Sequence, residues 1–352
     1  MEKIKERLDR LRERMKENKV TVYVIPSSDC HESEYVCAHY RVREYLSGFT
    51  GSAGTLAVTM EEAGLWTDGR YFLQAEQQLQ GTGIRLFRSG EPVVPKLQDY
   101  VKQKLSEGGK LGFDGRVMGA FRAEKLIEAA GEKGAEALVT EDLAGRIWTD
   151  RPGIPDTRLY VLDLCYAGED TKSRLARVRA EMEKAGADVH VLASLCDIAW
   201  LLNIRGGDIP CVPVVLSFLC MTKTACTWYV RERIVTEEIR QYLKECGIQI
   251  RDYEAVYEDL PGLTEGQKVL LDKKTVNYRL LTGISAGAEV IDGQNPTELM
   301  KAVKNETEIQ NLKTAHLKEG IAFTRLMYWL KNQSGTETVT ERSVAAYLDA
   351  CR

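Results

Sequence analysis

Apolar residues recur at two periods along this chain, and the changes of period mark its elements. Residues 3–18 place Ile4, Leu8, Leu11 and Met15 on one face of an otherwise charged helix, which Asn18 breaks. Residues 20–25 form a continuous apolar run of the buried-strand type, stopped by Pro26. A polar, irregular stretch at 27–39 follows. A short helix at 41–46 then ends at the glycines of SGFTGSAG. Residues 55–59 and 64–67 predict a hairpin, and Asp68-Gly69 turns the chain into a helix over 70–80. Strands at 85–88, 110–113 and 137–139 alternate with helices at 97–105 and 121–130. Arg151-Pro152-Gly153-Ile154-Pro155 has the composition of a linker.

The same order then begins again. SRLARVRAEMEK at 173–184 matches the first helix. Residues 189–192 match 22–25, and Ser194 stands where Ser27 stood, both displaced by 167 positions. DIAWLLNIR at 197–205 takes the place of REYLSGF, and Gly206-Gly207 follow it as Gly51 and Gly54 did. Residues 212–219 and 226–230 supply the next strand pair, and 236–246 a helix. Order, spacing and breakers agree, so an internal duplication is expected. The first copy carries an insertion of about a dozen residues around His31 to Arg41. Helices alternating with strands in both copies predict an α/β layered fold in each.

From Asn295 the pattern becomes helical. Asn295, Pro296 and Glu298 form a capping-box pattern, and Asn305 with Glu308 repeats it. Ile309, Leu312, His316, Gly320, Phe323, Met327 and Leu330 recur at spacings of three and four. They give a long helix a mostly apolar face that needs something to pack on. Ser334-Gly335 is expected to end it. Thr338 with Glu341 is expected to open another, through Val344, Tyr347, Leu348 and Cys351. Residues before 295 read as two finished units, and those after it as the start of a third.

Composition narrows the function classes. The 352 residues are 44% hydrophobic and 28% charged, ordinary for a soluble globular chain of two to three domains. Lys+Arg 48 against Asp+Glu 52 leaves net −4, with no basic surplus to attract nucleic acid or anionic lipid. The charged N-terminus lacks a signal core, and the run at 211–221 is too short to span a bilayer. Nine scattered cysteines without a CxxC pair suit reduced thiols in a cytoplasm.

No metal-ligand spacing is present. His31, His39, His190 and His316 show no HxH, HxxxH or HExxH pattern, and His190 and His316 are expected to be core or interface residues. The loop at 48–54 lies between a helix and a strand, the reverse of the order a phosphate-cradling loop needs. It reads as a tight crossing, one that leaves room for a peptide pocket. There is no GxSxG elbow and no cysteine in a nucleophile motif. At Asp68-Gly69-Arg70, Thr67 or Asp68 is expected to cap the following helix while Arg70 pairs locally.

The stretches SDCHESEY (28–35), REYLSGFTGSAGT (43–55), LWTDGRYFL (65–73), DIAWLLNIRGGDIP (197–210) and residues 295–331 together resemble the Xaa-Pro aminopeptidases of the long three-domain type, also called aminopeptidase P. Their order and distances match across the whole chain. The resemblance implies two duplicated creatinase-like N-terminal domains with mixed sheets, at 1–153 and 154–294. It also implies that 295–352 is the start of a C-terminal pita-bread metallopeptidase domain. That domain holds two divalent metals, usually manganese, through two aspartates, a histidine and two glutamates, and a bridging hydroxide attacks the carbonyl before a proline. Those ligands come from the body of the third domain, which the chain is expected to lack, so no catalytic or metal residue carries over. What carries over is the covering of the site's mouth, with His31, Tyr35, Phe49 and Arg205 as candidates for a substrate rim. The resemblance further implies proline-containing peptides as partners, a homodimer and a cytoplasmic location. These 352 residues alone are expected to be inactive. A second hypothesis is a non-catalytic peptide-binding module with a peptidase-like fold, as in some histone-chaperone subunits. The lack of acidic or basic tails argues against a chromatin role.

Overall fold

The computed structural model describes residues 2–263, 265–333 and 339–352. In the first unit β1 (Val22–Pro26), β2 (Thr55–Thr59), β3 (Ala63–Thr67), β4 (Ile84–Arg88), β5 (Lys110–Gly112) and β6 (Glu136–Leu138) form one sheet. Its order is β4-β3-β2-β1-β5-β6. After it, β7 (Tyr160–Val161) pairs antiparallel with β9 (Ile204–Arg205) in a short ribbon. The second unit repeats the first sheet with β8 (Val189–Leu192), β10 (Ser217–Thr222), β11 (Cys226–Val230), β12 (Gln249–Arg251), β13 (Lys268–Leu271) and β14 (Glu289–Asp292). Their order is β12-β11-β10-β8-β13-β14. In each sheet one strand, β2 or β10, runs antiparallel to both neighbours, and every other pairing is parallel. The central strands start in equivalent registers: Val22 pairs with Thr59 and Leu111, and Val189 with Thr222 and Val269. The duplication expected from the 167-residue displacement is therefore a duplication of topology.

Both sheets are covered by helices, so their central strands are buried without alternation: all five residues of β1 and all four of β8, His190 included. The helix Glu2–Glu17 packs Ile4, Leu8, Leu11 and Met15 on the first sheet, each worth about 1.5–3 kcal/mol on full burial. Its counterpart Thr171–Lys184 buries Leu175, Val178 and Met182. That helix begins two residues before the expected start, because the Asp170 carboxylate accepts from the Ser173 amide at 2.8 Å. The strand expected from residue 212 begins only at Ser217. Residues 208–216 fold back on Asp208, whose buried carboxylate accepts from the Leu216 amide at 2.9 Å and pairs with Arg231 at 2.8 Å. Residues 249–292 carry β12, β13 and β14, which hydrophobic periodicity did not single out; they are only three or four residues long.

The segment with linker composition is not a free tether. Arg151 donates to the His39 carbonyl and pairs with Asp142 at 2.8 Å, while the Pro152 carbonyl meets His39 Nδ1 at 2.7 Å. Arg231 of the second unit reaches the Pro155 carbonyl. The two units also share backbone hydrogen bonds. Ala120 donates to Val276 and Phe121 to Lys273, while Tyr278 and Arg279 donate to Met118 and Gly115.

Three helices follow: Pro296–Ala302, Glu306–Gln333 and Glu341–Cys351. The Asn305 capping box forms as expected, with both reciprocal bonds at 2.9 Å. Asn295 does not cap with its side chain, which turns to Thr275 Oγ1 at 3.1 Å. The last helix is capped by Thr340 with Ser343. The expected stop at Ser334-Gly335 and start at Thr338 lie outside the described residues. Along Glu306–Gln333 only Ala322 and Leu326 are buried. Leu312, Leu317, Ile321, Phe323 and Met327 remain exposed, and so does His316, which is a surface residue and not a core one. Trp329 stacks on Tyr347 at 4.5 Å to hold the last two helices together. Among the described residues no helix is long and apolar enough to cross a membrane.

Candidate functional site

The insertion in the first copy builds the site. After β1 the chain leaves its own sheet, and residues 27–41 cross onto the second unit. Asp29 starts the crossing as a buried turn: one carboxylate oxygen accepts from the amides of His31 at 2.9 Å and Ser33 at 3.1 Å. Burial pushes the Asp29 carboxyl above its ordinary range. His31 then plugs into the second unit. Its Nδ1 faces the Ala193 carbonyl at 2.9 Å and so carries the proton. Its Nε2 accepts from the Tyr253 hydroxyl at 2.8 Å. The ring lies 4.3 Å from that of Phe218. Burial pulls the imidazole down to about 3, so it is neutral at physiological pH. Cys30, Cys37 and Tyr40 join the core of the second unit beside it. The Cys30 carbonyl accepts from Asn277 at 2.8 Å.

The loop at 48–54 is the other wall. Gly48 ends the helix Val42–Ser47 in the left-handed conformation at φ 73°, as helix C-caps favour. Phe49 beyond it is fully buried. A Cβ at Gly51 would collide with the rings of Phe49 and Tyr71, so the backbone there approaches as only glycine permits. Arg43 binds the loop together. Its buried guanidinium donates to Ser27 Oγ at 2.8 Å and to the carbonyls of Phe49 and Gly51, and it lies 4.8 Å from the Phe49 ring centroid. Burial brings its pKa down to about 10, which leaves it charged at neutral pH. The Asp68 turn forms as expected, with Asp68 accepting from the Arg70 amide and pairing with its guanidinium.

Two cavities open on these walls. One, of about 650 Å³, lies between Tyr35, Tyr40 and Arg43 of the first unit and Pro210 and Val212 of the second. The other, of about 530 Å³, lies at the carboxyl ends of β1, β3 and β4, lined by Ser27, Trp66, Asp68 and Ser89. Ser27, Glu34 and Ser52 line both. The chain runs outward from β1 to β4 and returns to β5 on the other side of β1. The second cavity therefore sits beside a switch in strand order, where open α/β sheets place ligands.

Of the four rim candidates, Tyr35 lines the larger cavity with a half-exposed ring. His31 and Phe49 are buried behind the wall and act inside the fold, because each side chain has found its partners there. Arg205 lines neither cavity. It lies in β9, donates to the Ala199 carbonyl, and feels Glu308 at the root of the long helix. Arg43, Glu34 and Asp29 were missed in the sequence. A signal existed for Arg43: it lies three residues before Leu46, on the face that helix buries.

The chemistry available is recognition. Hydroxyls, the carboxylates of Glu34, Glu44 and Asp68, basic side chains and aromatic rings line the cleft. Burial pushes the nearby Cys30 thiol up to about 12, far from thiolate at neutral pH. Among the described residues no three His, Cys, Asp or Glu side chains come together as metal ligands.

Residues 7–149 and residues 150–308 each match a family model described as the creatinase/prolidase N-terminal domain. The chain is 37% identical over 351 residues to a probable Xaa-Pro aminopeptidase P of Botryotinia fuckeliana, covering 97% of this chain and 54% of the relative. It is 35% identical to aminopeptidase P2 of Arabidopsis thaliana, covering 89% and 49%. The crystal structure of an X-prolyl aminopeptidase from Caenorhabditis elegans, described as a cytosolic enzyme with a di-nuclear active site, superposes with a TM-score of 0.90. It is 28% identical, with 99% of this chain and 59% of that one covered. The chain thus spans about half the length of the curated relatives it matches.

Proposed function

We infer from two tandem creatinase/prolidase N-terminal domains, joined through His31, that this chain is the N-terminal portion of a metal-dependent Xaa-Pro aminopeptidase. In this reading residues 1–153 and 154–294 are the two gating domains, and 295–352 begin the peptidase domain. The observation that carries it is the superposition on the nematode X-prolyl aminopeptidase over 99% of this chain. The parent enzyme would remove the residue preceding a proline in the cytoplasm, with two divalent ions, manganese in this proposal, activating water. Among the described residues no group of three His, Cys, Asp or Glu side chains forms a donor set for such a pair.

The role of these residues is to shape access. Tyr35 presents the rim, while His31 and Phe49 hold it from behind and Arg205 serves the joint to the helix Glu306–Gln333. The purified 352-residue chain is expected to show no turnover of an Xaa-Pro peptide, with or without manganese, because hydroxide formation and oxyanion stabilisation need converging carboxylates and two ions. Metal-dependent turnover that copurifies with the chain would refute this. Reading the coding sequence past residue 352 tests the parent: downstream Asp, Asp, His, Glu and Glu ligands support the peptidase, and their absence makes the chain a peptide-binding module.

Homodimer formation is part of the proposal. It is supported by exposed apolar side chains on two faces of the helix Glu306–Gln333, Leu317 with Ile321 on one and Phe323 on another. Light scattering is expected to show concentration-dependent self-association that Ile321→Glu with Phe323→Glu abolishes. A monomer at all concentrations would remove this part of the reading.

A further inference from the structure

Almost every charge lining the two cavities already has a partner. In the larger, Arg41 lies 4.0 Å from Glu44, and Arg43 is occupied by Ser27, Phe49 and Gly51. In the smaller, Asp68 holds Arg70 through two 2.9 Å bonds, and Arg122 holds Glu32 at 2.5 Å. Two side chains stand apart. Glu34, which lines both cavities, and Lys96, which lines the smaller, make no hydrogen bond or ion pair with any described residue. Arg70, on whose guanidinium Glu34 acts weakly, is already held by Asp68.

The surroundings of Glu34 specify what it can take. In the larger cavity Tyr35, half exposed, offers aromatic surface, and Pro210 and Val212 offer apolar surface. A carboxylate beside aromatic and apolar surface suits a cation carried on an aliphatic stem. Lys96 marks the other end. It follows β4, whereas Glu34 follows β1, and these strands lie three positions apart in the sheet. At about 4.8 Å between strands the ends of β1 and β4 are roughly 14 Å apart, and Glu34 and Lys96 both line the one cavity beyond those ends. About four residues of extended chain cover that distance at ~3.4 Å each.

We propose that this cleft binds a short extended peptide, with a lysine or arginine side chain at Glu34 and the C-terminal carboxylate about four residues on at Lys96. The proposal rests on reading the ligand as a peptide, and it does not require that this chain cleave one. Calorimetry on the purified 352-residue chain tests it with the heptapeptide Gly-Pro-Lys-Ala-Ala-Ala-Ala. Norleucine in place of lysine, or Glu34→Gln, is expected to weaken binding about fivefold, the size of a partly exposed ion pair. Glu34→Lys is expected to reverse the preference towards a glutamate-bearing peptide. Amidation of the C-terminus and Lys96→Ala should each weaken binding, and the two together no further, because both remove one interaction. Glu34 and Lys96 are exposed, so these variants keep the fold, checked by an unchanged melting curve. A matching peptide with alanine for proline separates the questions: equal binding supports the cleft while counting against Xaa-Pro preference. Undetectable binding of the parent peptide, or affinities indifferent to Glu34→Gln and to amidation, would overturn the proposal.

Discussion

Replacing His31 with alanine is expected to destabilise the two-domain unit by about 4 kcal/mol, the range for removing a buried aromatic side chain. Two costs combine. The ring fills space against Phe218 and Tyr253 that the first unit's own backbone cannot refill. The Ala193 carbonyl and Tyr253 hydroxyl lose buried partners, at about 1–3 kcal/mol for each left unsatisfied. The readout is the denaturant midpoint, with the slope showing whether the units part before they unfold. The same residue should be visible in the pH profile. Its folded pKa of about 3 lies below the unfolded value of 6.5, so the unfolded chain takes up the proton first. The stability that neutral His31 contributes is complete above pH 6.5 and falls as pH drops towards 3. His190, also pulled down by burial, acts in the same direction, while Asp29, Asp114 and Glu254, pushed up by burial, act against it. The difference between the parent and His31→Gln isolates the His31 component. A His31→Ala chain with the parent's midpoint, or a His31→Gln chain with the parent's acid profile, would show that the peg carries no stability.

Arg43→Ala is expected to cost about 3–5 kcal/mol, with two carbonyls orphaned and the stem's packing on Phe49 lost. Among the described residues no carboxylate lies within ion-pair distance of Arg43, and its neighbour Glu44 faces Arg41 at 4.0 Å. Its value lies in geometry: one planar fork reaches the end of β1 and two points of the glycine loop at once. Lysine carries the charge without the fork, so Arg43→Lys should recover only a minor part. Thermal melts measure the stability. Peptide binding measures the second consequence, because Thr50, Gly51 and Ser52 wall the larger cavity and follow the loop when it loosens. An Arg43→Ala chain that melts with the parent would show that the loop holds its shape through Phe49 alone.

The residues that make the cleft differ in how far local pattern reveals them. Asp68 and Arg70, two positions apart, form the turn their order implies, and Asn305 caps through Glu308 as spacing predicts. Asn295 carries the same pattern and uses it differently, because Thr275, twenty residues away in sequence, offers its hydroxyl. His31 was named as a candidate, but its task is set by partners 162 and 222 residues distant.

The sequence by itself determined the element order, the α/β class, the repeat at 167 positions and the helical run after 295. Each of these depends on the period of apolar residues or on breakers a few positions apart, and side-chain direction along a helix or strand is a local property. The tertiary structure decided the rest. It set which strand neighbours which, and it paired short strands such as β12 and β14 whose three or four residues carry too few positions to show a period. It turned a segment of linker composition into a pinned joint and an irregular insertion into a peg with a cleft beside it. Those outcomes depend on which surfaces meet and which polar groups must find partners once water is excluded, and no local pattern encodes that.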